Sequence, residues 1–270
     1  MKRVIMFLLI LSIFSAEAAA AETAPPVELP VLMYHRLLKN NPQGDEYTIT
    51  PDALERDLNY LQAENYTSVT TDQVIGYLSR GEELPDKPIL LTFDDGHYST
   101  LSYAAPLLER YGFCASVFVT GKFSDSETGT EPTPLYSYIS WEQMQHLPSC
   151  LQIENHTWDL HLCGRGRNGI QRKKSESLAD YRMRLASDLL TLQGKVAENA
   201  RRVPVAFALP FGASCKDAVP VFDAVGIPLS FGSYSGINRL TVGGERHELK
   251  RLCRVPRKSA QFLLDKYANK

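Results

Sequence analysis

Apolar runs and helix-like periodicities alternate along this chain. Leu29 to Tyr34 is a short apolar run. Thr50-Pro51-Asp52 then opens a helix, with Thr50 as its N-cap and Pro51 in the first turn; Leu54, Leu58 and Leu61 give it one apolar face. Ser68 to Thr70 reads as a brief strand, and Thr71 to Arg80 as a helix stopped by Gly81. Pro88 to Phe93 is a buried strand running into Asp94-Asp95-Gly96, followed by a helix from Ser99 to Tyr111 that ends at Gly112. Cys114 to Thr120 is β-rich. Residues 121–138 are polar and read as a surface loop, and Trp141 to Leu147 as a short helix. Leu151 to Asn155 is a strand leading to His156, and residues 163–176 form a basic, glycine-bearing loop. A long helix from Leu178 to about Asn199 precedes a strand, Val205 to Leu209, that ends at Pro210-Phe211-Gly212. A last strand, Leu252 to Val255, and a helix, Ala260 to Tyr267, complete the pattern. Such strand–helix repetition predicts an α/β fold with a mostly parallel sheet or barrel. No internal repeat and no second domain is legible.

The N-terminus breaks the pattern. Lys2 and Arg3 precede an apolar run from Val4 to Phe14, and small residues follow at Ala16 and Ala18 to Ala21. This predicts a signal peptide over residues 1–21, a loose tether over 22–28 and one folded domain over 29–270. The apolar run falls short of the roughly 20 residues that a membrane span needs, and an uncleaved anchor is the alternative reading. Either way the folded part is expected outside the cytoplasm, secreted or in the periplasm and cell envelope, with peripheral or N-terminal membrane association open. The formal net charge of −2 gives no basic field, so nucleic acid is not an expected partner. Five cysteines, an odd number, leave at least one unpaired even where export permits disulfides. None form a C-x-x-C pair, which argues against a cysteine zinc site.

In parallel α/β folds, sites gather at the carboxyl ends of the strands, and the chemically distinctive residues stand there. Asp94 and Asp95 are adjacent, so on a regular strand they would point to opposite faces. The following Gly96 lets the backbone turn, and one carboxylate can then bind a metal while its neighbour takes a proton. Read alone, Asp-Asp-Gly is equally a solvated turn. His156 and His161 lie five apart after another strand and can converge on one ion. Two histidines and one carboxylate with open positions is a catalytic pattern, whereas closed structural sites take four protein ligands.

Thr92-Phe93-Asp94-Asp95-Gly96 and His156-Thr157-Trp158-Asp159-Leu160-His161 together resemble the polysaccharide deacetylases, carbohydrate esterase family 4. Pro30 to His35 is similar to the opening strand of its exported members, Phe207 to Gly212 to its third motif and Leu249 to Val255 to its closing strand. The likeness covers residues 29–258. It implies a distorted (β/α) barrel of about seven mainly parallel strands holding a divalent metal, zinc foremost. It further implies Asp94 as general base, Asp95, His156 and His161 as metal ligands, and the Phe211 backbone N–H as an oxyanion donor. Pro210 and His35 are expected to bind substrate, an acetylated polysaccharide. The implied reaction is removal of acetyl groups from N-acetylglucosamine-type sugars. An O-acetyl esterase on a xylan-like glycan and a non-catalytic glycan-binding relative are the alternatives.

Two departures stand out. Many members space the histidines four apart; the wider spacing here resembles deacetylases of exported poly-N-acetylglucosamine. Ala208 stands where an arginine usually orients the base, and no late histidine is clearly the general acid. His247 lies in the right region but reads as part of a solvated turn. His97 and His146 read as surface residues, Trp141 as core, and Asp159 either as an orienting group or as a turn cap. Trp158, Tyr136 and Tyr138 are open between sugar stacking and packing. The basic loop from Arg165 to Lys174 reads as a solvated face.

Overall fold

The structure, a computed structural model, describes residues 25–40, 44–164 and 167–267. Seven parallel strands make one curled sheet: β1 (Val31–Tyr34), β2 (Pro88–Phe93), β3 (Ala115–Val119), β4 (Leu151–Asn155), β5 (Ala206–Ala208), β6 (Leu229–Phe231) and β7 (Leu252–Cys253). Spatial order follows chain order from β1 to β6, and β7 lies beside β1. The register sets Leu32 opposite Leu91, Phe93 opposite Val117, Val117 opposite Ile153 and Asn155 opposite Phe207. Leu249 bridges Phe231 on β6, and three residues later Leu252 pairs with Leu32 on β1. One segment, 249–253, therefore joins both edges and closes the sheet into a distorted (β/α) barrel, as the sequence predicts.

Closure explains the composition of the strands. Every residue of β1, β2, β3, β5 and β6 is buried, as expected where one face meets the barrel interior and the other meets helices. The surrounding helices are α1 (Pro51–Ala63), α2 (Thr71–Arg80), α3 (Ala105–Tyr111), α4 (Leu178–Ala200) and α5 (Ala260–Tyr267). Thr50 caps α1 by accepting from the Ala53 N–H, and Leu54, Leu58 and Leu61 are wholly buried. A reciprocal box of Thr70 and Gln73 starts α2. A π-helical turn, Thr100–Ala104, leads into α3, so the predicted helix is one run of mixed winding.

Three expectations change, and one falls outside the described residues. The signal peptide over 1–21 and residues 22–24 of the tether lie outside the described residues. Val27 and Glu28, taken as tether, join Leu29 in a strand antiparallel to Asn238–Leu240; it forms because Leu29 is fully buried. Residues 121–138 are not all loop. Gly121–Ser126 is a helix, held by Gly121 and Lys122 N–H groups donating to the carbonyls of Thr157 and Trp158. Those contacts are tertiary, so local polarity hid them. The helix predicted at Trp141–Leu147 is a single turn, Trp141–Met144. The five cysteines are free thiols. Among the described residues, no helix is long and apolar enough to cross a membrane.

One buried ion pair ties the outer layer to the closing strand. Asp57, on the apolar face of α1, accepts from Arg254 Nε at 2.6 Å, from the Tyr34 hydroxyl at 3.3 Å and from the Ala260 N–H at 3.0 Å. Removing one member of a buried pair leaves the other charge uncompensated, at a cost of about 3–5 kcal/mol. Asp57→Ala is therefore expected to lower unfolding stability by that order in urea titrations, and Leu54→Ala by about 2–5 kcal/mol. An Asp57→Ala chain as stable as wild type would show that the cluster contributes nothing.

Candidate metal and catalytic site

The ends of the strands meet over one cleft of about 300 Å³, lined among others by His35, Tyr47, Asp94, Asp95, His156, His161, Phe211 and Arg251. Two adjacent acids reach it differently. Asp94 extends the β2 ladder, its N–H bonded to the Tyr34 carbonyl at 2.9 Å. Asp95 turns into the left-handed region at φ 69°, and Gly96 follows at φ 73°. A Cβ on Gly96 would stand 2.9 Å from Val119 Cγ1, so both conformation and space require glycine. The two carboxylates consequently face different partners.

Asp94 is buried and faces a guanidinium. Arg251 Nη1 and Nη2 donate to its two oxygens at 2.7 and 2.8 Å, and Arg251 Nε donates to the Gly232 carbonyl at 2.9 Å. Burial raises the Asp94 carboxyl, but the Arg251 charge and hydrogen bonds more than offset it, and the net shift is downward. Arg251 comes from the segment that closes the barrel. It sets a guanidinium against Asp94, and sequence reading did not single it out. Its position at i, i+2 and i+4 with Leu249 and Cys253, on the face opposite Lys250, was the available signal.

Asp95 faces imidazoles. Its Oδ1 lies 3.1 Å from His161 Nε2 and 3.5 Å from His156 Nε2, and its Oδ2 lies 3.5 Å from His97 Nε2. Burial raises the Asp95 carboxyl, yet the histidines draw it well below the usual carboxylate range. Burial lowers His156, and the two aspartates reverse this to a net rise. His97 is thus not a free surface group: it flanks Asp95 and stacks on Tyr138 at 4.9 Å. His161 packs between Phe123 at 5.5 Å and Phe211 at 4.6 Å. Phe123 belongs to the helix that sequence reading took for loop.

These residues fit a divalent cation. One ligand atom from each of Asp95, His156 and His161 lies within 4.8 Å of the others. A tetrahedral ion with bonds of about 2.0–2.2 Å needs ligand atoms roughly 3.3 Å apart, close to the separations seen. His156 Nδ1 lies 2.8 Å from the Ala208 carbonyl. A carbonyl can only accept, so Nδ1 carries a proton and Nε2 is the nitrogen turned toward Asp95, the one able to ligate a cation once deprotonated. The residue that departs from the family pattern in its side chain thereby sets the tautomer with its backbone.

The remaining candidates divide. His35 lines the cleft, packs tilted against Tyr47 at 4.8 Å and has a buried Nδ1 without a protein partner; burial lowers its pKa despite the nearby aspartates. Phe211 is half-exposed at the rim and held at φ 59°. Pro210 is buried and does not line the cleft; its carbonyl packs where a Cβ on Gly169 would come within 2.9 Å. His247 is buried rather than solvated, packs on Phe222 at 5.8 Å beside Ser230 Oγ, and does not line the cleft. Asp159 is exposed, Trp141 is core, and Trp158 stacks on it at 6.2 Å. Tyr136 is 71% exposed.

A family model described as polysaccharide deacetylase matches residues 81–229, more than half the chain. The Bacillus subtilis (strain 168) protein YxkH is 27% identical over 161 residues, covering 59% of this chain and 52% of that protein. The poly-beta-1,6-N-acetyl-D-glucosamine N-deacetylase of Escherichia coli (strain K12) is 23% identical over 217 residues, 70% of this chain and 31% of the relative. This chain thus spans about half of one relative's length and a third of the other's. A solved de-N-acetylase from Aggregatibacter actinomycetemcomitans shares the fold, with a TM-score of 0.75 at 20% identity over 88% of this chain and 99% of that one.

Metal retention separates the two aspartates. Asp95→Ala and His156→Ala are each expected to lose zinc on gel filtration, whereas Asp94→Asn keeps it, as read by elemental analysis. Equal zinc in wild type and Asp95→Ala would exclude this triad as the site.

Proposed function

This chain belongs to the polysaccharide deacetylase family, and from that premise we propose that it hydrolyses the acetamide of N-acetylglucosamine-type sugars in an exported polysaccharide. The observation that carries this reading is the division of Asp94 and Asp95: one carboxylate faces a guanidinium and the other faces two imidazoles, within a single cleft. The signal-peptide pattern supports a substrate outside the cytoplasm.

Asp95, His156 and His161 would hold the divalent cation, and two imidazoles with one carboxylate suit zinc. When bound, the cation polarises the amide carbonyl and lowers the pKa of water beside it. Asp94 removes a proton from the attacking water. Its depressed pKa keeps it ionised at neutral pH, and Arg251 holds both oxygens in place. The water oxygen bonds to the carbonyl carbon, and the Phe211 N–H donates to the oxygen that gains charge. The C–N bond then breaks, and the sugar nitrogen must gain a proton as it leaves. His35, the cleft-lining imidazole outside the triad, relays to it the proton that Asp94 took from the water; burial keeps His35 neutral at rest, so it can accept that proton before donating it. The products are acetate and a free amino sugar.

Acetate release from N-acetylglucosamine oligomers, with acetylxylan as control, tests the reading. Wild type is expected to act on the oligomers and chelation to stop it. Asp94→Asn should lose about 10²–10⁴-fold in kcat with its metal retained. Arg251→Met, acting through Asp94, should lower kcat while KM and metal content hold. Release from acetylxylan alone would identify an O-acetyl esterase; no release from either, with metal bound, would identify a glycan-binding relative.

The proton-donor assignment has its own test. His35→Ala should slow amide substrates about 10²-fold or more and spare an aryl acetate, whose leaving group needs no proton. Equal losses on both substrates would remove His35 from that role.

A further inference from the structure

His156 and His161 are five residues apart, so the loop between them sets their separation. That loop is strained at its start: Thr157 has φ 81°, a conformation that β-branched residues rarely adopt. Part of it is braced from within. The Thr157 N–H donates to Asn155 Oδ1 at 2.9 Å, and the Leu160 N–H to Thr157 Oγ1 at 3.2 Å. The two N–H groups in between leave the loop for one acceptor. Trp158 donates to Asp188 Oδ1 and Asp159 to Asp188 Oδ2, each at 2.8 Å.

Asp188 lies on α4, on the same buried face as Leu185, Leu189 and Leu192, and is itself 9% exposed. Burial pushes its carboxyl up to about 6, against the pull of the two N–H donors. A carboxylate among leucines is costly, and packing alone would favour an apolar side chain. The next residue, Leu189, also reaches this region: its carbonyl accepts from Asn155 Nδ2 at 3.2 Å. Helix α4 thus grips the strand end and the loop at consecutive positions, on both sides of His156.

We propose that Asp188 is a positioning residue, whose carboxylate clamps loop 157–160 and thereby sets the spacing of the His156 and His161 imidazoles on a divalent cation. This rests on the triad reading above, and Asp188 touches neither ligand. Outer partners that orient ligands typically change metal affinity by about 10–100-fold.

The experiment measures Zn(II) affinity of the full chain by chelator competition, and coordination by the absorption spectrum of the Co(II)-loaded protein. Wild type, Asp188→Asn, His161→Ala and the double variant form one cycle. Asn keeps the size of Asp188 but presents an NH₂ to one of the two donors. Asp188→Asn is expected to bind Zn(II) about 10–100-fold more weakly, with an altered Co(II) spectrum. That penalty should vanish when His161 is already alanine, because the loop then has no second imidazole to place. Wild-type affinity in Asp188→Asn, or the same penalty in both backgrounds, would overturn the proposal and leave Asp188 a structural residue. A wild-type chain that binds no Zn(II), or His161→Ala binding as tightly as wild type, would instead refute the triad. Should Asp188→Asn not fold by circular dichroism, Asp188→Glu, which keeps the charge but displaces the carboxylate by one methylene, enters the same cycle with the same expectations.

Discussion

An ionised carboxylate deep in a barrel is tolerable only with a counter-charge, and the Arg251–Asp94 pair supplies one across the line where the barrel closes. Arg251 lies in the segment that hydrogen-bonds to both sheet edges, while Asp94 continues β2. The two can meet only once the last strand has docked beside the first. A local pairing would exist in partly folded chains; this one ties the ionisation of Asp94 to completed closure. The five fully buried strands carry no charged side chain, because their hydrogen bonding and packing need none, and the cleft's ionisable groups stand just past the strand ends.

The cleft then follows from a single backbone turn. Asp94 and Asp95 are neighbours in sequence but serve opposite electrostatic surroundings, because Asp95 and Gly96 both take left-handed conformations. Arg251 holds one carboxylate ionised, and imidazoles surround the other. Such environments separate the tasks of two chemically identical groups without separating them in space. Around them, Phe123 and Phe211 pack on His161 and Tyr138 on His97, while the Ala208 carbonyl holds His156 by a hydrogen bond.

Buried charge elsewhere serves the scaffold. Glu154 is wholly buried on β4 and accepts from Thr71, Arg202 and the N–H groups of Val205 and Ala206. It pins the entry to β5, and so the approach to Phe211, one strand from His156. Asp57 does the same for α1 and the closing segment. Both acids lie outside the cleft and are satisfied by their own partners, which distinguishes them from Asp94 and Asp95.

The chain's local code determined the elements that depend on near neighbours. Thr50, Gly81 and Gly112 mark helix ends correctly because capping involves residues three or four apart. The apolar runs marked the strands because burial on both faces leaves no polar alternation, and the strand-end Asp and His residues were visible as polar breaks in those runs. Tertiary structure alone decided what meets across distance. Arg251 is 157 positions from Asp94, and His97, which looked like a surface residue, is turned toward Asp95 by its bridge with Tyr138. The helix at 121–126 exists because carbonyls of Thr157 and Trp158 receive its N–H groups, not through its own propensity. Near-neighbour chemistry is written in sequence order; the geometry of a closed sheet is not, because closure couples residues whose spacing along the chain carries no period.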